Sequence, residues 1–190
     1  MAAAFRRIAS EGFEGLRTRD VAADVGLNVA TLHYYFPTKE ALIRGVVGHA
    51  MSRFRTTLEP AGTPGGRLAA HFSGVRRLYR DEPELFAVMG EVAQRAARDP
   101  AIAAIFKDMS ETWHAALRGL LKRAQAEGAI DQKLEPDAVA SLVIATLRGM
   151  FMVPLATTSN AELERSLGQL ERFIGLARRG PARPGAATRR

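Results

Sequence analysis

The chain has no cysteine. That excludes disulfides, thiolate metal sites and a cysteine nucleophile. Its histidines, His33, His49, His71 and His114, include no pair at the short helical spacing of a metal site, so no metal is expected. No G-x-S-x-G elbow, phosphate-cradling G-x-x-x-x-G-K-[ST] loop or dinucleotide fingerprint occurs, and no cofactor is expected. Glu82 and Glu84 fall on an expected exposed turn and read as surface solvation. A catalytic set of His71, Glu91 and His114 would require three helices to converge, and the chain is not expected to be an enzyme. Strand-type alternation is scarce. Long membrane-grade runs are missing too. The most apolar stretch, 138–156, carries Ser141, Arg148 and Pro154, whereas a span needs about 20 apolar residues. Arg6 and Arg7 interrupt the start without an apolar core behind them, so no signal peptide is read there and a cytoplasmic location is expected.

What is present is an ordinary apolar and charged composition over 190 residues, 47% hydrophobic and 25% charged, with a net charge of +7. The charge is uneven. Residues 1–55 are net +3, residues 56–171 net −2 and residues 172–190 net +6. The basic end, RRGPARPGAATRR, lacks apolar periodicity, and residues 179–190 read as a disordered tail.

Apolar residues recur at helical spacing almost throughout, which predicts an all-α protein of about nine helices. Phe5, Ile8, Ala9 and Phe13 mark a first helix. Residues 38 to about 58 form a fourth, followed by a Pro/Gly break over 60–66. Leu68 begins a fifth, Asp81-Glu82-Pro83 a sixth, and Asp99-Pro100 a long seventh that ends at Gly128. An eighth runs from about 136 to 156 and a ninth from 161 to 178. The expected division is a small domain over 1–45, a larger helical one over 46–178, and the tail.

Residues 18–39, TRDVAADVGLNVATLHYYFPTK, carry the most information. Thr18 reads as a helix cap with Asp20 in the first turn, and Val21, Ala22 and Val25 as an apolar stripe. Gly26 stops that helix where a left-handed residue is cheap, and Leu27 reads as a buried plug. Asn28 caps a second helix over about 29–36. This is the helix-turn-helix layout, whose second helix enters the DNA major groove. The consecutive His33, Tyr34, Tyr35 and Phe36 put aromatics on every side of that helix. Lys39, just after Thr38 at the next helix start, suits a phosphate.

Residues 5–46 resemble the DNA-binding domain of the TetR family of transcriptional regulators. The likeness rests on Gly12-Phe13, Thr18, Val21-Ala22, Gly26, Thr31-Leu32, the aromatic run ending at Phe36, and Lys39-Glu40-Ala41-Leu42. Family members usually carry a basic segment before the first helix, and this chain begins almost inside that helix. The resemblance implies a homodimeric, ligand-responsive regulator of double-stranded DNA at pseudo-palindromic operators, here read as a repressor. Chemistry gives Thr18 and Lys39 phosphates and Arg19 a base edge, with guanine favoured. The family motif carries Val29, Ala30, Thr31, His33 and Tyr35 onto the DNA-facing positions. Tyr34 meets backbone or packs inward, and Leu32 and Phe36 read as core.

In the second domain, Phe72, Phe86, Met89, Phe106, Met109, Trp113 and Phe151 are the materials of a pocket for a small apolar or amphipathic effector. The last helix repeats Leu163, Leu167, Leu170 and Ile174 in steps of four and three, a coiled-coil type of seam. With Leu142 of the preceding apolar helix it reads as a two-fold subunit interface, so Leu170→Glu is expected to give monomers. The fourth helix is read as the only link between head and body. Two other classes stay open on these residues: a small-molecule-binding helical protein without working DNA binding, and an enzyme.

Overall fold

Hydroxyl, carboxylate and amide side chains set four of the helix starts. Asn28, Thr38, Thr63 and Asp99 each accept a hydrogen bond from a backbone N–H two or three residues on. The computed structural model describes residues 1–59, 61–152 and 160–176. Among them run α1 (Ala2–Glu11), a 3-10 turn (Phe13–Gly15), α2 (Thr18–Asp24), α3 (Val29–Tyr35), α4 (Lys39–Arg55), α5 (Pro64–Asp81), α6 (Pro83–Ala96), α7 (Pro100–Ala126), α8 (Pro136–Met152) and α9 (Asn160–Phe173). No strand occurs among the described residues. The boundary expected at 45/46 falls inside α4, which is continuous.

Several bounds differ from expectation for local reasons. Phe13 lies in the 3-10 turn because Gly12, at φ 67°, ends α1, yet its ring is still buried. The break over 60–66 is shorter, because Thr63 caps Gly66 and Pro64 is tolerated at the first helical position. The expected extension of α8 over 153–156 and the end of α9 over 177–178 lie outside the described residues, as does the basic tail. Glu82 is not mere surface. It stands at the N-cap position of α6, where its carboxylate makes no cap bond and instead receives a two-pronged hydrogen bond from Arg53 of α4.

The core is built on α7, which packs against α4, α5, α6 and α8. Its centre is aromatic. Phe54 of α4 sits 5.5 Å from Phe86, 5.4 Å from Trp113 and 5.8 Å from Phe151, ring centre to ring centre. No described helix is long and apolar enough to cross a membrane.

The leucine seam of α9 turns inward. Leu163, Leu167, Leu170 and Ile174 are all buried within one chain, where α9 packs on α5. Arg76 of α5 fixes this docking, with Nη2 2.7 Å and Nη1 3.1 Å from the Glu171 carboxylate and Nε 2.8 Å from Glu164. A seam already covered by its own subunit is not available to a second copy, so the interface expected at these four residues is corrected. A four-three repeat specifies a helix-packing face, and cannot tell an intrachain partner from an intermolecular one.

One buried polar group has a titration consequence. Thr57 donates its hydroxyl proton to the Phe54 carbonyl at 2.6 Å, so its oxygen must accept from His71 Nδ1, also at 2.6 Å. That fixes the tautomer and leaves His71 Nε2 a bare acceptor with no partner in the core. Burial lowers the His71 pKa to about 4, from 6.5. The unfolded chain therefore takes up a proton below pH 6.5 that the folded chain refuses until about pH 4. Stability should fall as pH drops through that window, by up to about 3 kcal/mol. Asp24 and Asp81, held low by hydrogen bonds from Arg7 and Arg80, act only below the ordinary 3.8. Urea midpoints measured from pH 7 to 4.5 should show the fall, and His71→Leu should flatten it.

Candidate functional site

The turn between α2 and α3 is set by backbone geometry. Gly26 at φ 68° ends α2 in a Schellman arrangement, with Leu27 N–H donating to Ala22 O at 2.9 Å and Gly26 N–H to Ala23 O at 3.1 Å. Asn28 then opens α3, accepting from the Thr31 N–H at 2.7 Å and the Thr31 hydroxyl at 3.0 Å. Three details of the sequence reading change here. Arg17, not Thr18, stands at the N-cap of α2, and Thr18 is its first residue. Val25 and Leu27 are exposed, at 45% and 43%, because no third element covers a turn this tight. Val21 and Ala22 alone carry the buried face of α2.

Leu32 anchors α3 in the core with Phe36 packed beside it. Ala30, His33, Tyr34 and Tyr35 are exposed, Tyr34 at 81%, and Val29 and Thr31 are half-buried. The two tyrosine rings meet edge to face at 5.3 Å. Tyr34 thus points outward, which removes the inward-packing alternative. Arg19 and Lys39 are exposed, and Thr18, the first residue of α2, is half-buried. Lys39 Nζ lies 3.4 Å from the Phe13 carbonyl.

Charge is sorted in the head. Arg7 grips Asp24 with Nε at 2.6 Å and Nη2 at 2.8 Å, and lies within 4 Å of Asp20 and Glu11. These hydrogen bonds hold the Asp24 carboxyl below the usual range. Three acids are thereby gathered on one guanidinium. Among the described residues, Arg6, Arg17, Arg19 and Lys39 are exposed and make no ion pair. Arg17 was not singled out in the sequence; its signal was only a cation next to Thr18.

The head meets the body in two places. Besides α4, α1 packs directly on α6, so α4 is not the sole link. Phe5 meets His49 edge to face at 5.4 Å. A cavity of about 300 Å³ lies at the junction, lined by Ile8, Ala9, Gly12, Phe86, Gly90 and Phe151 among others. At Gly90 a Cβ would stand 2.3 Å from the Phe151 carbonyl oxygen, so the missing side chain lets α6 approach the end of α8.

The residues read as pocket walls do not line one pocket. Phe72 and Met89 are fully buried core and touch none of the larger cavities. Phe86 and Phe151 line the α1–α6–α8 cavity, and Phe106 lies under Arg148, 5.3 Å from the guanidinium carbon. Only Met109 and Trp113 border a wide groove of about 520 Å³ between α4 and α7. Its other walls, among them Val47, Met51 and Ile105, were legible only as a second apolar stripe on α4 and α7. His71, Glu91 and His114 stand apart as well. His71 bonds Thr57, Glu91 lies by Gly12, and His114 Nε2 lies 3.0 Å from Ser141 Oγ. Among the described residues no group of His, Asp or Glu is placed to hold a metal ion.

The layout is that of a helix-turn-helix DNA-binding head on a helical body. Residues 1–46 match the family model for bacterial regulatory proteins, tetR family, and residues 58–170 that for the Tetracyclin repressor-like, C-terminal domain. The chain belongs to the TetR family of transcriptional regulators. Solved structures agree. A chain assigned to that family from Rhodococcus sp. superposes with a TM-score of 0.80 at 23% identity, covering 91% of this chain and 94% of its own. A transcriptional regulator from Rhodococcus sp. Rha1 gives 0.73 at 25% identity, over 91% and 92%. A TetR transcription regulator from Haloarcula marismortui gives 0.79 at 19%, over 92% and 93%. No curated protein matches the chain.

Gly90→Ala tests the close approach at the head–body junction. The added methyl must push α8 off α6, and the expected loss is about 1–3 kcal/mol of stability in urea unfolding. An unchanged midpoint would show that the two helices do not meet there.

Proposed function

We propose that the chain is a homodimeric repressor that acts in the cytoplasm and leaves its operator when a small amphipathic molecule binds the body. The observation that carries the DNA half is the outward face of α3, exposed at Ala30, His33, Tyr34 and Tyr35, in a head where Arg6, Arg17, Arg19 and Lys39 are exposed and lack carboxylate partners. Phosphate contacts from Lys39, Thr18 and Arg17 would orient the head, and Arg19, Ala30, Thr31, His33 and Tyr35 would read base edges. The reading as a regulator rather than an enzyme is supported by His71, Glu91 and His114 standing in three separate places.

The dimer face in this reading is the outer side of α8, not the buried seam of α9. Ala138, Leu142, Ala145, Gly149 and Met152 recur at helical spacing and are all exposed, with Leu142 at 49% and Met152 at 52%. Phe173 of α9, 66% exposed, continues this surface across a shallow groove shared with Thr146, Ser166 and Gln169. An exposed apolar strip of this kind is the usual mark of a subunit contact. Light scattering should give a dimer for the native chain at micromolar concentration. Leu142→Glu with Phe173→Glu should give folded monomers. Leu170→Glu should instead lose the folded state, since it places a charge in the protomer core. A monomeric native chain, or a folded monomer from Leu170→Glu, would overturn this assignment.

DNA binding has its own test. Titration of operator duplexes at several salt concentrations should show Lys39→Ala weakening all sequences alike and flattening the salt slope by about one unit. Arg19→Ala should cost on the order of 1–3 kcal/mol and relax one base position. Selection from random duplexes that returns no enriched palindrome would refute the operator reading.

A further inference from the structure

The α4–α7 groove has a chemical asymmetry that names its occupant. Its floor is apolar: Val47 and Met51 from α4, Ile105, Met109 and Trp113 from α7. At one end Arg44 and Asp108 face each other at 3.8 Å and cancel. At the other end, three turns along α4 and about 16 Å away, Arg55 has no carboxylate within ion-pair distance among the described residues. Glu59 nearby pairs with neither Arg55 nor Arg67. Leu58 closes this end, and its carbonyl accepts from Arg67 Nη2 at 2.8 Å.

Two buried donors in the same region have nothing to donate to. Trp113 is 3% exposed and forms part of the groove wall, and its Nε1–H lacks an acceptor. Arg67 Nε, behind Leu58, lacks one too. Buried N–H groups without partners are costly and uncommon, so a site that leaves them unmatched is short of an acceptor. An uncompensated cation at the rim, an unmatched indole N–H in the wall and an apolar trough between charged ends call for one kind of molecule.

We propose that the α4–α7 groove binds an amphipathic monoanion, an acyl or aryl carboxylate. Its apolar body lies on Val47, Met51, Ile105 and Met109, and its carboxylate lies at the Arg55 end. This rests on the reading of the chain as an effector-controlled regulator and gives that effector a place and a charge. The groove is walled by α4, whose first turn holds Thr38 and Lys39, so an occupant bears directly on the helix that positions the DNA head.

Gly48 supplies a clean control. It lines the groove, and a Cβ built there meets nothing within 4 Å. Gly48→Leu should therefore fold normally while filling the trough.

Trp113 is the chain's one tryptophan, so its fluorescence reports on the wall directly. Full-length protein should be titrated with dodecanoate, dodecanol and dodecyltrimethylammonium, each below its critical micelle concentration, with calorimetry alongside. The expected order is dodecanoate well ahead of dodecanol, with the cation not bound. Arg55→Gln should weaken dodecanoate about tenfold, the range of a hydrogen-bonded charge, and leave dodecanol unchanged. Gly48→Leu should abolish both. Equal binding of acid and alcohol, an Arg55→Gln variant that binds dodecanoate as tightly as native protein, or no binding at all would overturn the proposal. Operator affinity measured with dodecanoate present separates the two readings. If dodecanoate binds through Arg55 and the operator is still held, the groove assignment stands and the effector role falls.

Discussion

The packing of Phe54 is the contact on which the molecule turns. This ring belongs to α4, the helix that follows α3 in the chain, and it is fully buried against Phe86, Trp113 and Phe151 from three other helices. A close-packed interior does not deform continuously. A change in how α6, α7 or α8 sits must therefore either be absorbed by side chains around Phe54 or be passed along α4. The second route, α1 on α6, makes the head a body docked at two points instead of one hung from a single rod. Half-sites lie about one helical turn or a multiple apart, so a shift of either docking point would change the register of paired heads.

Much of the fold was legible because it is written in local chemistry. Gly26, Asn28, Thr38, Asp99 and Gly128 act on backbone groups within a few residues, so their effects survive whatever the rest of the chain does. The order of helices and the helix-turn-helix followed from them. Orientation was less legible. Val25 fits the stripe of α2 by spacing but falls past its last turn, where the chain has already changed direction. The seam of α9 has the right periodicity for a subunit contact, yet its partner is α5, about ninety residues earlier in the chain, joined through Arg76 and Glu171. Periodicity reports that a face is buried and is silent on what buries it.

The same degeneracy explains the pocket. Phe72, Phe86, Met89 and Phe151 are large apolar groups, and size favours burial, so they were consumed by the core. A binding trough needs apolar residues left over after the core is filled. Met51, only partly buried, is such a remainder, and the buried Val47 shows one edge beside it. They lie beside the stripe of Ile43, Val46, Ala50 and Phe54 that α4 uses for packing. A helix that carries one apolar stripe for its own fold and a second beside it is a better pointer to a ligand face than any count of aromatics.

The grip of Arg7 on Glu11, Asp20 and Asp24 has a kinetic side. It draws three negative charges toward one cation on the α1–α2 flank and removes them from the field ahead of α3. In the proposed reading, a duplex approaching the head would meet the exposed cations Arg17, Arg19 and Lys39, none of them in an ion pair among the described residues. Such sorting acts on the encounter, before any base is read. On the proposed reading it would raise the rate at which non-specific DNA is captured, and leave the dwell time at an operator to short-range contacts.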